Sequence, residues 1–408
     1  MPDPADAHKP AHFHPSDLRA LARLLTDATA GVTGLVEAVH LGIAAPDAAP
    51  RAGGIAPLTY RSIRGITRVV AGGLDVALAP LAAALGPRAP TPERRLALAA
   101  VNGIVGDYLA ETGSALALPM TLHRDGAPLA VDRAALAATF PEPRGKLLLL
   151  VHGLCGSDRG WARGGGQCGD EGSDYGAALA RDLGYTPLYL NYNSGRHVSA
   201  NGRDLAALLE ALVSAWPAPV DELAILAHSM GGLVARSAAH YGAAAGHAWP
   251  ARLRALVCLG TPHHGAPLER GGNWINVLLE ATPYVAPFAR LGKGRSAGIT
   301  DLRYGNLLDE DWQGRDRFAH VTDERTRVPL PAAARCYAAA AVLAGGVETP
   351  ADRLLGDGLV PLDSALGRHA DPARSLAFDG EWIGRGLGHL DLLGRAEVYA
   401  QVVEWFAG

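Results

Sequence analysis

The hydrophobic pattern changes its period partway along the chain. Between residues 16 and 115, apolar residues recur three and four apart: Leu18, Leu21, Leu25, Ala28, Val32, Leu35 and Val39; then Ile63, Ile66, Val70, Leu74, Leu78, Leu81 and Leu85; then Leu96, Val101, Ile104, Tyr108 and Leu109. Such spacing sets one apolar face on each of three helices. From about Met120 the pattern turns to short apolar runs alternating with helical stretches. An alternating stretch between Met120 and Ala130, with Arg124, Asp125 and Gly126 at its middle, predicts a hairpin. Strands are predicted at 146–151, 187–192, 223–227, 256–259, 334–343 and 374–378. Helices are predicted at 175–183, 201–216 (with Asn201 as its cap), 233–240 and 396–406. A run apolar at every position, such as 147–151, suits a strand buried on both faces of a parallel sheet. The expected class is therefore α/β, a mostly parallel central sheet flanked by helices.

This patterning suggests a leader over 1–15, a helical N-terminal region over 16–115 and an α/β domain over 116–408. An insertion at about 272–331 interrupts the alternation: Trp274, Ile275, Val277, Leu278, Leu279, Tyr284, Val285 and Phe288 stand among Gly, Pro and acidic turns. Two readings of it stand, a lid over a site or a surface excursion packed on the core. In the second N-terminal helix Arg68, Asp75 and Pro80 break what would otherwise resemble a membrane span. Its Arg61, Arg64 and Arg68 beside an apolar face suit peripheral contact with a lipid surface, and packing on the neighbouring domain or a partner subunit is the favoured reading.

Composition narrows the classes. The 408 residues are 49% hydrophobic and 19% charged, with a net charge of -4 and no dense Lys/Arg stripe, so a nucleic-acid partner is not expected. The first residues lack the basic and apolar regions of a secretory signal, and a cytoplasmic location is expected. Of four cysteines, Cys258 and Cys336 fall in predicted strands and are expected to be reduced. Cys155 and Cys168 bracket a Gly-rich loop, and whether they are bridged stays open. His8, His12 and His14 in the leader have no accompanying ligand framework, so no metal is expected there.

The chemistry centres on 223–236. A strand runs into Ser229 and a helix follows, with Ala227 and Gly231 two positions to either side. Small residues belong there because the backbone folds back on itself. The helix then directs unpaired N–H groups at charge developing beside the serine. This stretch resembles the nucleophile elbow of the α/β-hydrolase superfamily, and His228, Ser229, Met230, Gly231 and Gly232 form a run common among its lipases and esterases. Ala227, where glycine is usual, is a departure from that pattern. Three more segments resemble the superfamily: His152-Gly153-Leu154 after the strand at 146–151, the run from Gly260 to Ala266 containing His263 and His264, and Gly356-Asp357-Gly358 followed later by Gly388-His389.

Over about 146–408 the chain is similar to bacterial lipase/esterase proteins and to the α/β domain of GPI inositol-deacylases (PGAP1-like). The resemblance implies Ser229 as nucleophile, Asp357 as acid and His389 as base. It implies the backbone N–H groups of Leu154 and Met230 as an oxyanion hole, with His152, Gly153, His228 and His263 around the substrate. Asp363 and Asp352 are alternative acids. Asp391 resembles a calcium ligand found near the base in some bacterial lipases, although a surface or capping carboxylate is the plainer reading. No metal or cofactor is implied. The implied activity is hydrolysis of carboxylic esters, of lipid or medium-chain acyl type, through an acyl-enzyme. The alternatives are a thioesterase, polyester depolymerase or amidase with the same triad, and a non-catalytic lipid-binding protein of the same fold.

Overall fold

The computed structural model describes residues 92–162, 174–266, 296–316, 323–346 and 349–408. The leader with its histidines, the first two N-terminal helical patterns, Cys168 and the 272–295 part of the insertion lie outside the described residues. The chain divides into two compact units. One comprises residues 1–95 and 112–116, of which only 92–95 and 112–116 are described; the other comprises 96–111 and 117–408 and carries the sheet.

Helix α1 (Pro92–Glu111) answers to the third helical pattern, and from Leu96 onward it groups with the α/β unit. Glycines make that packing close: a Cβ on Gly103 or Gly106 would collide with Cys155 or Asn193. The hairpin follows as β1 (Thr121–Arg124) and β2 (Ala127–Leu129). Asp125 and Gly126 both take positive φ, 50° and 72°, as a two-residue turn matched to strand twist requires. Helix α2 (Arg133–Thr139) starts at Asp132, whose side chain accepts from Ala135 N. Next come β3 (Lys146–Val151), α3 (Tyr175–Leu183), β4 (Thr186–Asn191), α4 (Val198–Ala215), β5 (Glu222–His228), α5 (Met230–Ala244) and β6 (Leu253–Leu259). Helix α6 (Ala297–Leu302) and β7 (Arg335–Val342) follow, then the short helices α7 (Pro350–Leu355) and α8 (Leu362–Ala365). Strand β8 (Gly380–Arg385) and helix α9 (Ala396–Ala407) close the chain.

The eight strands form one sheet in the order β2-β1-β4-β3-β5-β6-β7-β8. From β4 to β8 every pairing is parallel, whereas β1 runs antiparallel to both its neighbours. Alternate side chains of the apolar strands feed opposite layers. Leu147, Leu149 and Val151 of β3 pack with Leu205 and Leu209 of α4 and Leu233 of α5. Leu148 and Leu150 pack on the other face with Tyr175 and Leu179 of α3 and Val402 and Phe406 of α9. Helices thus cover both faces, which is the reason the central strands are apolar throughout.

Two local expectations are corrected. The strand predicted at 374–378 is absent; a 3-10 turn ends at Arg374 and the pairing strand is β8, parallel to β7. Its glycines hid it, yet they serve packing, since a Cβ on Gly380 would lie 3.0 Å from Trp405 Nε1 and 3.1 Å from Tyr337 Cδ1. Asn201 is not a cap. It is buried inside α4, and its Nδ2 donates to Asn193 O (2.9 Å). Of the insertion, 296–316 and 323–331 are described, and Leu302, Leu307, Leu308 and Val328 enter the same core layer as α4 and α5. No helix among the described residues is long and apolar enough to cross a membrane.

Candidate active site

Strand β3 is followed in the chain by β4 on one side of it, and then by β5 on the other. Loops leaving the C-terminal ends of β3 and β5 therefore diverge, and in an open parallel sheet that divergence leaves a crevice for ligands. The segment 152–157 and Ser229 stand at those two strand ends.

Ser229 joins β5 to α5 with φ 55° and ψ -127°. A side-chain-bearing residue holds such a conformation at a cost of order 1–3 kcal/mol, and only where its surroundings impose it. Here its N–H donates to Leu259 O (2.8 Å) and its carbonyl accepts from Gly232 N (3.1 Å). Small neighbours are obligatory: a Cβ on Gly231 would stand 2.5 Å from Val151 O, and one on Gly153 would stand 2.8 Å from Ser229 Cβ. The loop after β3 and the serine turn are thus pressed together, with Leu154 on one side and Met230 on the other.

Beyond β7, Leu343 N donates to Gly356 O (3.0 Å), and Gly356 and Gly358 take φ of 54° and 92°. This tight turn aims Asp357 inward. Its Oδ1 accepts from Leu359 N (3.0 Å) and Val360 N (2.8 Å), and its Oδ2 lies 2.7 Å from His389 Nδ1. His389 N also donates to Asp357 O (3.1 Å). Both side chains are buried. A carboxylate only accepts, so the imidazole carries its proton on Nδ1 and leaves Nε2 as the acceptor. Asp363 is engaged by Arg353 instead (2.6 Å).

His228, next to the serine, contacts His389 directly: its Nε2 lies 3.1 Å from His389 O, and the two rings are 4.7 Å apart. Gly260, at φ 58°, leaves room for the His389 ring, whose Cε1 would be 3.1 Å from a Cβ there. Asp391 caps its own turn, its Oδ2 accepting from Gly388 N (2.8 Å), as a capping carboxylate does. Among the described residues no group of three or more His, Cys, Asp or Glu is arranged to hold a metal ion.

The remaining histidines differ. His152 is buried, stacks on Tyr192 with ring centroids 4.3 Å apart, and donates from Nδ1 to Gly153 O (2.8 Å). His263 is buried against Arg236, its Nδ1 3.2 Å from Nη1. Burial holds the His152 pKa down to about 4, and burial, then Arg236, holds that of His263 well below 6.5. Between those values and the unfolded value the unfolded chain binds more protons than the folded one. Stability is therefore complete above about pH 6.5 and is lost as pH falls toward 4, with a slope of about 1.4 kcal/mol per pH unit for a buried histidine such as His152. We expect Tm to fall already between about pH 6.5 and 5, above the ordinary carboxylate range. A Tm that is flat over that interval in a differential scanning experiment would contradict neutral burial.

Sequence patterns missed the support behind the loop after β3. Cys155 has φ 57°, its N–H donates to Ser194 Oγ (3.0 Å), and its thiol donates to Ala100 O of α1 (3.6 Å). Burial pushes that thiol up to about 12, so it stays protonated. Tyr192 OH donates to His152 O (2.8 Å). The small polar run from Asn193 to Gly195 after β4 was the available signal. Its partner, the neighbouring strand end, is visible only in three dimensions.

Among known proteins, residues 142–312 match the PGAP1-like alpha/beta domain family. No curated protein matches the chain. Solved structures similar to it include a mature Bacillus licheniformis lipase, at 19% identity over 64% of this chain and 90% of that one, with a TM-score of 0.39. A Bacillus subtilis naproxen esterase is 14% identical over 64% of this chain and 83% of its own (TM-score 0.36). A metagenomic carboxyl esterase is 19% identical over 77% and 88% (TM-score 0.34). With its mostly parallel eight-stranded sheet, helices on both faces and the serine turn after β5, the chain has the α/β-hydrolase fold, and its residues 142–312 are similar to the PGAP1-like alpha/beta domain family.

Proposed function

We propose that the protein is a serine hydrolase of carboxylic esters. The observation that carries this reading is the buried Asp357–His389 pair, which like Ser229 follows the C-terminal ends of the parallel strands, with the serine held at φ 55°. His389 takes the Ser229 proton as Oγ attacks the ester carbonyl, and Asp357 stabilises the imidazolium that forms. The oxyanion receives N–H groups from Leu154 and Met230, the latter at the N-terminus of the fifteen-residue helix α5. The proton passes to the departing alcohol; water then repeats the sequence and releases the acid. A lipid or medium-chain acyl group as substrate rests on the apolar residues of the insertion, such as Trp274, Ile275 and Phe288.

A fluorophosphonate probe tests this directly. The expected result is a single adduct, located on the Ser229 peptide by mass spectrometry, together with turnover of p-nitrophenyl esters that peaks at medium or long chains. No adduct and no turnover would overturn the enzyme reading. Faster turnover of a matched sulfur ester than of its oxygen counterpart would reassign the same machinery to thioesters.

A further inference from the structure

A second polar centre lies away from the Asp357–His389 pair. Arg236 projects from α5, the helix that follows Ser229, and is 4% exposed. Its Nη2 donates to Val328 O (2.7 Å) and its Nη1 to His263 Nδ1 (3.2 Å), while its Nε has no hydrogen-bond partner. Guanidinium only donates, so His263 Nδ1 accepts and its proton sits on Nε2. That Nε2 is also buried without a partner. Two buried N–H donors are thus left unmet, an arrangement that costs free energy unless an acceptor is supplied.

Arg236 and His263 line a cavity of about 30 Å³ together with Arg325, Arg374 and His264, more than a single water requires. No acidic residue lines it among the described residues. The nearby carboxylate is Asp323, and it is already shared: both its oxygens take Arg325 (2.8 Å each), and Arg374 Nη1 lies 3.3 Å away. His264 is satisfied in both directions, with Nε2 donating to Gly367 O (3.0 Å) and Nδ1 facing Arg325 Nη2 (3.4 Å). Arg325 and Arg374 thus share one carboxylate, Arg325 spending its other N–H groups on His263 O (3.1 Å), Gly305 O (3.0 Å) and His264, while Arg236 adds a third guanidinium whose open valence is a donor. Burial and the neighbouring cations keep both histidines neutral, as expected where positive charge is already in excess.

We propose that this cavity is a binding site for one small oxyanion of the phosphate class, held by Arg236, His263 and Arg374, with the Arg325 guanidinium adding positive charge beside it. A tetrahedral oxyanion accepts at every oxygen and matches guanidinium donors in geometry and charge. The ligand is either free phosphate or the phosphate group of a small ester, since both present the same oxygens.

Isothermal titration of the full-length protein with inorganic phosphate, at constant ionic strength and with chloride as control, tests the site. Saturable one-site binding is expected, with a Tm that rises with phosphate and not with chloride. Because Arg236→Gln would also disturb the core, the decisive variant is Arg374→Gln, whose side chain is 30% exposed. It is expected to weaken phosphate at least about tenfold, a lost charge-assisted contact. Glycerol 3-phosphate binding more tightly than phosphate assigns the site to a phosphate ester, and weaker binding assigns it to the free ion. No saturable heat, or an affinity unchanged in Arg374→Gln, overturns the proposal and leaves the cavity to water. The readout is binding, so it is independent of whether Ser229 hydrolyses esters.

Discussion

Replacing Ser229 with alanine is expected to lower kcat on a p-nitrophenyl ester by about 10⁴- to 10⁶-fold, with Tm almost unchanged. Alanine keeps the Cβ and meets the same backbone constraint at φ 55°, and the bonds that hold the turn are made by main-chain atoms, Ser229 N to Leu259 O and Gly232 N to Ser229 O. Only the hydroxyl is lost. Residual turnover would come from positioning and from the proposed oxyanion hole of the Leu154 and Met230 N–H groups. Retention of most of the activity by Ser229→Ala would remove the serine from the chemistry and with it the proposed mechanism.

Asp357→Asn carries the second large effect, a fall in kcat of about 10⁴-fold with the fold retained. The asparagine oxygen still accepts from Leu359 N and Val360 N, so the turn survives. Its amide nitrogen then faces His389 Nδ1, and two donors cannot meet there. The imidazole proton moves to Nε2, and the ring can no longer take the Ser229 proton as the proposed mechanism requires. Asp357→Ala should in addition lose about 1–3 kcal/mol of stability, because the buried Val360 N–H would have no acceptor. A near-normal kcat in Asp357→Asn, measured across pH, would show that His389 works without this carboxylate.

Much of the fold was legible because its signals are local. An all-apolar run such as 147–151 marks a strand buried on both faces, and α3 and β3 have the bounds that the pattern predicts. The serine turn was legible for a related reason: a tight strand-to-helix reversal demands small residues at short fixed spacing, and Ala227 and Gly231 supply them. Strand β8 was not legible. Its stability comes from pairing with β7 and from Tyr337, Trp382 and Trp405 packed over Gly380 and Gly384, none of which is a property of the segment itself. Asn201 misled in the same way, since a capping type of side chain is buried here by a tertiary bond to Asn193.

The candidate site divides along the same line. Ser229, Asp357 and His389 each stand in short Gly-flanked turns that announce themselves in the sequence. That Asp357 rather than Asp363 meets His389 was decided by the chain's return across β7 and β8. The donors of Leu359 and Val360 and the imidazole of His389 converge on one carboxylate there. His263, expected from its segment to lie around the substrate, has Arg236 as its neighbour in three dimensions, a contact that no local pattern announces. The alternation of strand and helix, the tight turns and the kinds of group available are written locally in the chain, because they follow from periodicity and steric demand within a few residues. Which groups meet is set by the folded arrangement, because hydrogen-bond partners 32 residues apart, such as Asp357 and His389, are joined by sheet order and not by any local preference of the chain.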